Sequence, residues 1–127
     1  MWEGRQVSVV FPAYNEEAGI AAAVRDFLAC PEVDEVVVVN NNSRDRTAEL
    51  AGEAGARVVT FRGGRLSVTP VELDSVRARR LREDMPGVLY ESGRSQLSLR
   101  VPDDPAKRFP AVVRAADALL AVQREAA

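Results

Sequence analysis

Two stretches of the sequence decide the fold: residues 7–17, Val-Ser-Val-Val-Phe-Pro-Ala-Tyr-Asn-Glu-Glu, and residues 36–47, Val-Val-Val-Val-Asn-Asn-Asn-Ser-Arg-Asp-Arg-Thr. Each begins with a short run of β-branched or aromatic residues, which is typical of a buried strand, and continues into a polar loop. We predict strands over Val7–Phe11 and Glu35–Val39. The second run is apolar at every position after Glu35, as a central strand of a parallel sheet should be.

A helix is predicted after each loop, because apolar residues then recur at helical spacing. The first helix is expected to take Asn15 as its N-cap and to carry Glu16 and Glu17 where the helix dipole favours acids. The second is expected to take Ser43 as its cap and Asp45 in its first turn. We place the ends of the two helices at Pro31 and Gly55.

A third strand, Arg57–Phe61, completes a βαβαβ order. Short connections in this order imply a parallel sheet with right-handed crossovers. Ligands of such sheets bind at the carboxyl ends of the strands, where Pro12–Glu17 and Asn40–Asp45 both lie. The sequence therefore predicts a ligand site formed by these two loops.

These two loops, each behind a strand and at this separation, resemble the opening of family 2 glycosyltransferases of the GT-A fold. The resemblance covers residues 7–59 and implies the Rossmann-like half of that fold, which binds a nucleotide sugar of the UDP or GDP type. In that family the first loop borders the nucleotide, and an acid after the second strand pairs with the base. Carried over, the implied nucleotide-binding residues are Pro12, Ala13, Tyr14, Glu16, Asn40 and Asn42.

Asn40 departs from the family, which usually has Asp at this position. An Asn carbonyl accepts a hydrogen bond from a ring N–H, but without the charge that strengthens the bond, so we expect weaker or altered base selection. The alternative is that Asn40–Asn42 simply ends a strand, while Ser43 and Asp45 cap a helix.

Residues for sugar transfer are not found. The family's chemistry requires an Asp-x-Asp motif to hold Mg²⁺ or Mn²⁺ at the leaving diphosphate, and an inverting enzyme also requires a carboxylate base. The sequence contains no Asp-x-Asp. Helix capping explains Glu72-Leu-Asp74 and Asp103-Asp104. We assign no catalytic residue and no metal ligand, and expect Mg²⁺ or Mn²⁺ only together with a nucleotide sugar. A truncated or composite transferase that retains at most nucleotide binding is the leading hypothesis.

The second half does not continue the transferase. We expect residues 1–60 to be a nucleotide-sugar-binding half domain and residues 61–127 to be a small α/β segment of hairpin, helix, hairpin and helix. The hairpin turns are placed at Gly63-Gly64 and Ser92–Arg94. The predicted elements are Leu66–Thr69, a helix over Val71–Arg82 with Pro70 as its first residue, Val88–Tyr90, Gln96–Val101, and a helix from Pro105 to about Arg124.

Residues 60–125 resemble the C-terminal domain of bacterial transcription-repair coupling factors. The resemblance lies in Thr60–Leu66, in Pro86–Tyr90, and in Leu97–Pro102 before the last helix. It implies a second hypothesis: a non-catalytic module that binds a protein partner through residues 61–127.

Two further patterns lie in this half. An apolar stripe on the last helix is predicted to pack a core: Phe109, Val112, Val113, Ala116, Leu119, Leu120 and Gln123. A basic cluster lies on the preceding helix: Arg77, Arg79, Arg80 and Arg82. We interpret the cluster as a solvated helix face, with phosphate contact as the alternative.

Composition excludes several classes of protein. The 127 residues include one cysteine and no histidine, which excludes a disulfide framework, a Cys/His metal site and a His-dependent catalytic triad, and favours a cytoplasmic setting. The net charge of -2 gives no case for nucleic acid or an anionic membrane. The apolar run Val7–Ala13 is too short to span a bilayer and has no basic leader before it, so neither a membrane segment nor a signal peptide is expected.

Overall fold

The computed structural model of the protein describes residues 1–103 and 105–127, with the side chains of residues 105–107 left aside. The described chain divides into two compact units, residues 1–60 and residues 61–127. Helices and strands alternate along it, so the predicted α/β class is confirmed.

The first unit contains three strands and two helices: β1 (Ser8–Ala13), α1 (Ile20–Leu28), β2 (Glu35–Asn41), α2 (Thr47–Glu53) and β3 (Arg57–Arg62), whose last two residues belong to the second unit. β1 and β2 are parallel, and β2 lies between β1 and β3. Both β1 and β2 continue two residues beyond their predicted ends. Pro12 therefore lies inside β1, a position that the edge of a sheet tolerates because no ladder hydrogen bond is needed from its nitrogen.

A core forms where α1 and α2 cover one face of these strands. Its buried side chains are Ala13, Ile20, Val24, Val36, Val38 and Ala51. Phe11 and Phe27 pack beside this core with ring centroids 5.4 Å apart. Val37 and Val39 point to the opposite face of β2 and are also buried, which agrees with the apolar run read from the sequence.

The predicted helix caps of this unit need correction. α1 begins at Ile20 with Gly19 at the N-cap position, so Asn15 does not cap it and Glu16 and Glu17 lie outside the helix. Asn15 instead has φ 48° and uses its side chain elsewhere in the loop. Four residues, 16–19, therefore separate the expected cap from the first helical residue.

α2 likewise begins later than expected, at Thr47 rather than after Ser43. Ser43 therefore does not cap this helix, and Asp45 lies before its first turn. Asp45 nevertheless accepts a hydrogen bond from the N–H of Thr47, the first helical residue, at 3.0 Å. The N-cap position is Arg46, whose side chain makes no capping bond, so Asp45 contacts the first turn from outside the helix and is not its N-cap.

The second unit contains β4 (Arg65–Val68), α3 (Ser75–Asp84), β5 (Leu89–Glu91), a 3₁₀ turn (Ser92–Arg94), β6 (Gln96–Arg100) and α4 (Pro105–Ala126). β6 lies between β4 and β5 and is antiparallel to both. Gly63 and Gly64 connect β3 to β4 with φ values of 59° and 75°, a conformation that glycine adopts without strain.

α4 packs on β4 and β6. The buried residues of this core are Leu66, Val68, Leu97, Val101, Val112, Ala116, Leu119 and Leu120. Phe109 was expected in the same stripe but is 56% exposed, because the buried part of α4 begins one turn later, at Val112. Asp104 lies outside the described residues.

α3 begins four residues later than predicted, at Ser75. The chain is extended before it, and Val71 donates its N–H to the carbonyl of Ser95, so Pro70 is not the first helical residue. Asp74 is the N-cap, and its side chain accepts from the N–H of Arg77 at 2.8 Å. The capping interpretation of Asp74 is therefore confirmed.

The core of the second unit predicts a contrast between two leucines on paired strands. Leu97 of β6 is 0% exposed, whereas Leu89 of β5 is 45% exposed. Leu97→Ala should lower the free energy of unfolding by about 2–5 kcal/mol, because it removes apolar contacts and leaves a cavity. Leu89→Ala is the matched control and should change it by less than about 1 kcal/mol.

Urea denaturation followed by far-UV circular dichroism measures both variants. Equal losses for the two leucines would contradict the assignment of Leu97 to the core.

Candidate functional site

The register of β1 and β2 brings the two polar loops together. Ala13 lies opposite Asn40 at the carboxyl ends of these parallel strands. The β1–α1 loop, residues 14–19, and the β2–α2 loop, residues 42–46, therefore leave the sheet side by side. This is the edge where the sequence predicted a ligand site.

Hydrogen bonds join the two loops directly. In each bond a backbone N–H of one loop donates to a side-chain oxygen that follows the other strand. The β1–α1 loop donates from Asn15 to Ser43 Oγ (3.0 Å), from Glu16 to Thr47 Oγ1 (2.8 Å) and from Glu17 to Asp45 Oδ2 (3.3 Å). The β2–α2 loop donates from Arg44 to Asn15 Oδ1 (2.9 Å) and from Arg46 to Glu17 Oε2 (3.1 Å).

Asp45 lies at the centre of these contacts. Its carboxylate accepts from the hydroxyl and the N–H of Thr47 as well as from the N–H of Glu17. The Thr47 hydroxyl is the largest cause that holds the pKa of Asp45 below its usual value, and the two N–H donors add to it. Thr47 itself is fully buried, so the network has one end fixed in the core.

The side chain of Asn40 is hydrogen-bonded within the protein. Only 4% of the residue is exposed, and its Oδ1 accepts from the N–H of Ser43 at 3.2 Å. Its Nδ2 donates to Thr60 Oγ1 at 3.5 Å. Asn40 thus holds the start of the β2–α2 loop, as the strand-end interpretation requires. A carbonyl oxygen has two lone pairs, so one acceptor position of Oδ1 is left for another donor.

The other predicted site residues differ in exposure. Ala13 is buried beside Asn40, whereas Pro12, Tyr14, Glu16 and Asn42 are exposed. Tyr14 is 58% exposed on the β1–α1 loop. The sequence-predicted residues therefore divide into two that support the edge of the sheet and four that solvent reaches.

Two residues of the site were not predicted from the sequence, Thr47 and Thr60. Thr47 accepts from the N–H of Glu16, and Thr60 accepts from Asn40 Nδ2. The signal was present in the spacing of Ser43, Asp45 and Thr47, three short polar side chains at alternate positions. That spacing suits side-chain to backbone bonding, but the sequence does not say with which backbone.

The described residues include no group of three or more carboxylate or thiol side chains placed to hold a metal ion. Within the same residues, no helix has the length and apolar character needed to cross a membrane.

Part of this chain is similar to known proteins. Residues 8–67 match the model of glycosyl transferase family 2. Protein RfbJ of Shigella flexneri is 38% identical over 58 residues, which are 46% of this chain and 45% of RfbJ. Glucosyl-3-phosphoglycerate synthase of Mycolicibacterium smegmatis is 41% identical over 69 residues, which are 53% of this chain and 23% of the synthase.

Solved structures match over the same share of the chain. The crystal structure of M. tuberculosis glucosyl-3-phosphoglycerate synthase has 44% sequence identity, covers 45% of this chain and 22% of that chain, and superimposes with a TM-score of 0.41. Another structure of the Mycobacterium tuberculosis synthase was determined in complex with Mg²⁺ and uridine-diphosphate. The chain thus spans less than half the length of these relatives. Residues 8–67 of the chain are a segment similar to family 2 glycosyltransferases.

Proposed function

We propose that residues 1–60 bind the nucleotide part of a nucleotide sugar, of the UDP or GDP type, at the carboxyl ends of β1 and β2. The observation that supports this most is the hydrogen bonding of two polar loops across neighbouring parallel strands. The match of residues 8–67 to glycosyl transferase family 2 supports a nucleotide sugar as the ligand class.

The exposed residues supply the contacts in this proposal. The Tyr14 ring offers an aromatic surface to the base or ribose, and Glu16 and Asn42 offer acceptors and donors to ribose hydroxyls. Pro12 and Ala13 contribute backbone at the end of β1. The remaining lone pair of Asn40 Oδ1 accepts from the ring N–H that uracil and guanine both carry.

Sugar transfer is not part of the proposal. No Asp-x-Asp occurs in the sequence, and the described residues offer no metal-binding group of acids. These residues therefore do not fit a resident Mg²⁺ or Mn²⁺, and we derive no catalytic step. A divalent ion would reach this site only on the diphosphate of the nucleotide itself.

The loop contacts lower the cost of binding. A loop that is already held in place loses little conformational freedom when a ligand arrives, so more of the interaction energy appears as affinity. Side chains that hold the loops, such as Asp45 and Thr47, are in this sense positioning residues.

A second role is proposed for residues 61–127, as a module that binds a protein partner. It is supported by their forming a compact unit with its own buried core, and by the resemblance of these residues to the coupling-factor domain. The two roles are compatible, because they use different units of the chain.

Calorimetric titration tests the nucleotide proposal. UDP and GDP should each give saturable heat at millimolar concentration, and ADP should bind more weakly, because adenine carries no ring N–H on its Watson–Crick edge. Mn²⁺ should change the affinity for UDP by less than about threefold, since the described residues offer no metal-binding group of acids. No heat with UDP or GDP would refute the proposal.

Asn40→Asp tests the position next to the base. The carboxylate keeps an acceptor for the Ser43 N–H and adds charge to the bond with the base, and charge-assisted bonds are roughly twice as strong as neutral ones. The variant should bind UDP about threefold to tenfold more tightly in the same titration. Unchanged or weaker binding, with an unchanged circular dichroism spectrum, would show that the residue at position 40 does not contact the base.

Asp45→Asn tests the loop contacts without any ligand. Because the pKa of Asp45 is lowered in the folded chain, its charged form stabilises the fold fully above the ordinary pKa, and this contribution is lost as the pH falls through the lowered pKa. The difference in unfolding free energy between wild type and variant should be constant from about pH 5 to about pH 8 and should shrink below about pH 4.

Urea denaturation at each pH measures this difference. A difference that does not vary with pH would contradict the role given to the Asp45 carboxylate.

A further inference from the structure

A cleft in the second unit lies between α3 and the end of β5. Ser75, Arg79 and Arg82 line it from α3, and Tyr90 and Ser92 line it from β5 and the 3₁₀ turn. The cleft has a volume of about 340 Å³. Ser75, Arg79 and Arg82 recur at spacings of four and three residues, so they share one face of the helix.

The positive charges of the two arginines in this cleft are not paired with acidic side chains of the described residues. Arg79 and Arg82 are exposed, and neither guanidinium group forms a hydrogen bond or an ion pair within the described part of the chain. Asp74 is the acid in the lining of this cleft, and its carboxylate already contacts Arg77. Its Oδ1 accepts from the Arg77 N–H at 2.8 Å, and its Oδ2 lies 4.0 Å from Arg77 Nε.

A neighbouring cleft on the other side of α3 shows the opposite balance. It has a similar volume of about 340 Å³ and also presents two arginines, Arg77 and Arg80. There the lining includes two carboxylates as well, Asp84 and Glu125, so its formal charges cancel. Of these two clefts, the one that contains Arg79 and Arg82 has the excess of positive charge, because its lining sets two arginines against Asp74.

The remaining walls suit an anion with several oxygen atoms. Ser75 and Ser92 place hydroxyl groups in the lining, and a hydroxyl donates readily to a phosphate oxygen. The hydroxyl of Tyr90 accepts from the N–H of Leu73 at 3.0 Å, so the ring of Tyr90 is held in position as a wall. Two guanidinium groups on one helix face match the paired oxygens of phosphate.

We propose that this cleft binds the phosphate group of a small phosphorylated molecule, with Arg79 and Arg82 as the charged donors. The volume is that of a small-molecule pocket rather than of a single ion. The site belongs to the second unit and uses none of the residues given to the nucleotide in the first unit. It replaces, for these two arginines, the interpretation of α3 as a merely solvated face.

The test uses the full chain, uniformly labelled with ¹⁵N, and inorganic pyrophosphate as the probe at low ionic strength. Backbone amide shifts report where the probe binds, which separates this cleft from residues 1–60. We expect saturable shifts within residues 74–92. No shift in this range at about 10 mM pyrophosphate, while the spectrum remains that of a folded protein, would overturn the proposal.

Two matched double variants decide whether the cleft or the general charge of the second unit is responsible. Arg79→Gln with Arg82→Gln removes two positive charges from the lining of the cleft, whereas Arg80→Gln with Arg114→Gln removes two from outside it and leaves the Arg77–Asp74 pair intact. The first should weaken binding by at least roughly tenfold, and the second by less than about threefold. A smaller difference between the pairs would overturn the proposal, and the single variants R79Q and R82Q repeat the comparison if either pair fails to fold.

Discussion

Hydrogen bonds between the β1–α1 loop and the β2–α2 loop are the interaction on which the first unit depends. Polar loops at the end of a parallel sheet carry many backbone N–H groups, and each needs a partner if the loops are to have one conformation. Here short polar side chains of each loop accept from the backbone of the other. Each bond contributes only about 0.5–1.5 kcal/mol net, but the loss of one acceptor leaves a donor unpaired.

This arrangement is the structural basis of the nucleotide site that we propose. The side chains of Thr47 and Asp45 accept from backbone N–H groups of the β1–α1 loop, and Thr47 is buried. Tyr14, Glu16 and Asn42 remain on the solvent side. The proposed site therefore has one set of residues that restricts the backbone and another that solvent reaches, as a preformed site requires.

The sequence was sufficient for the α/β class and for the meeting of two polar loops at the carboxyl ends of β1 and β2, because apolar runs and loop positions are local patterns. The caps of α1 and α2 were predicted wrongly for a physical reason. Asn15 and Ser43 can cap their own helix or bond to another loop, and local sequence does not distinguish these outcomes. Phe109 was misplaced because helical spacing gives the face of a residue but not where along α4 the core begins. Asn40 shows the same limit of local sequence, since its burial and its bond to Thr60 depend on a segment 20 residues away.

We infer that the two loops hold each other in place whether or not a ligand is bound. Native-state hydrogen exchange of the Asn15, Glu16, Arg44 and Arg46 amides tests it most directly. We expect these exposed-loop amides to exchange far more slowly than unstructured peptides do, and more slowly still with UDP present. Exchange at the rate of an unstructured peptide, unaffected by UDP, would show that the two loops do not hold each other in place.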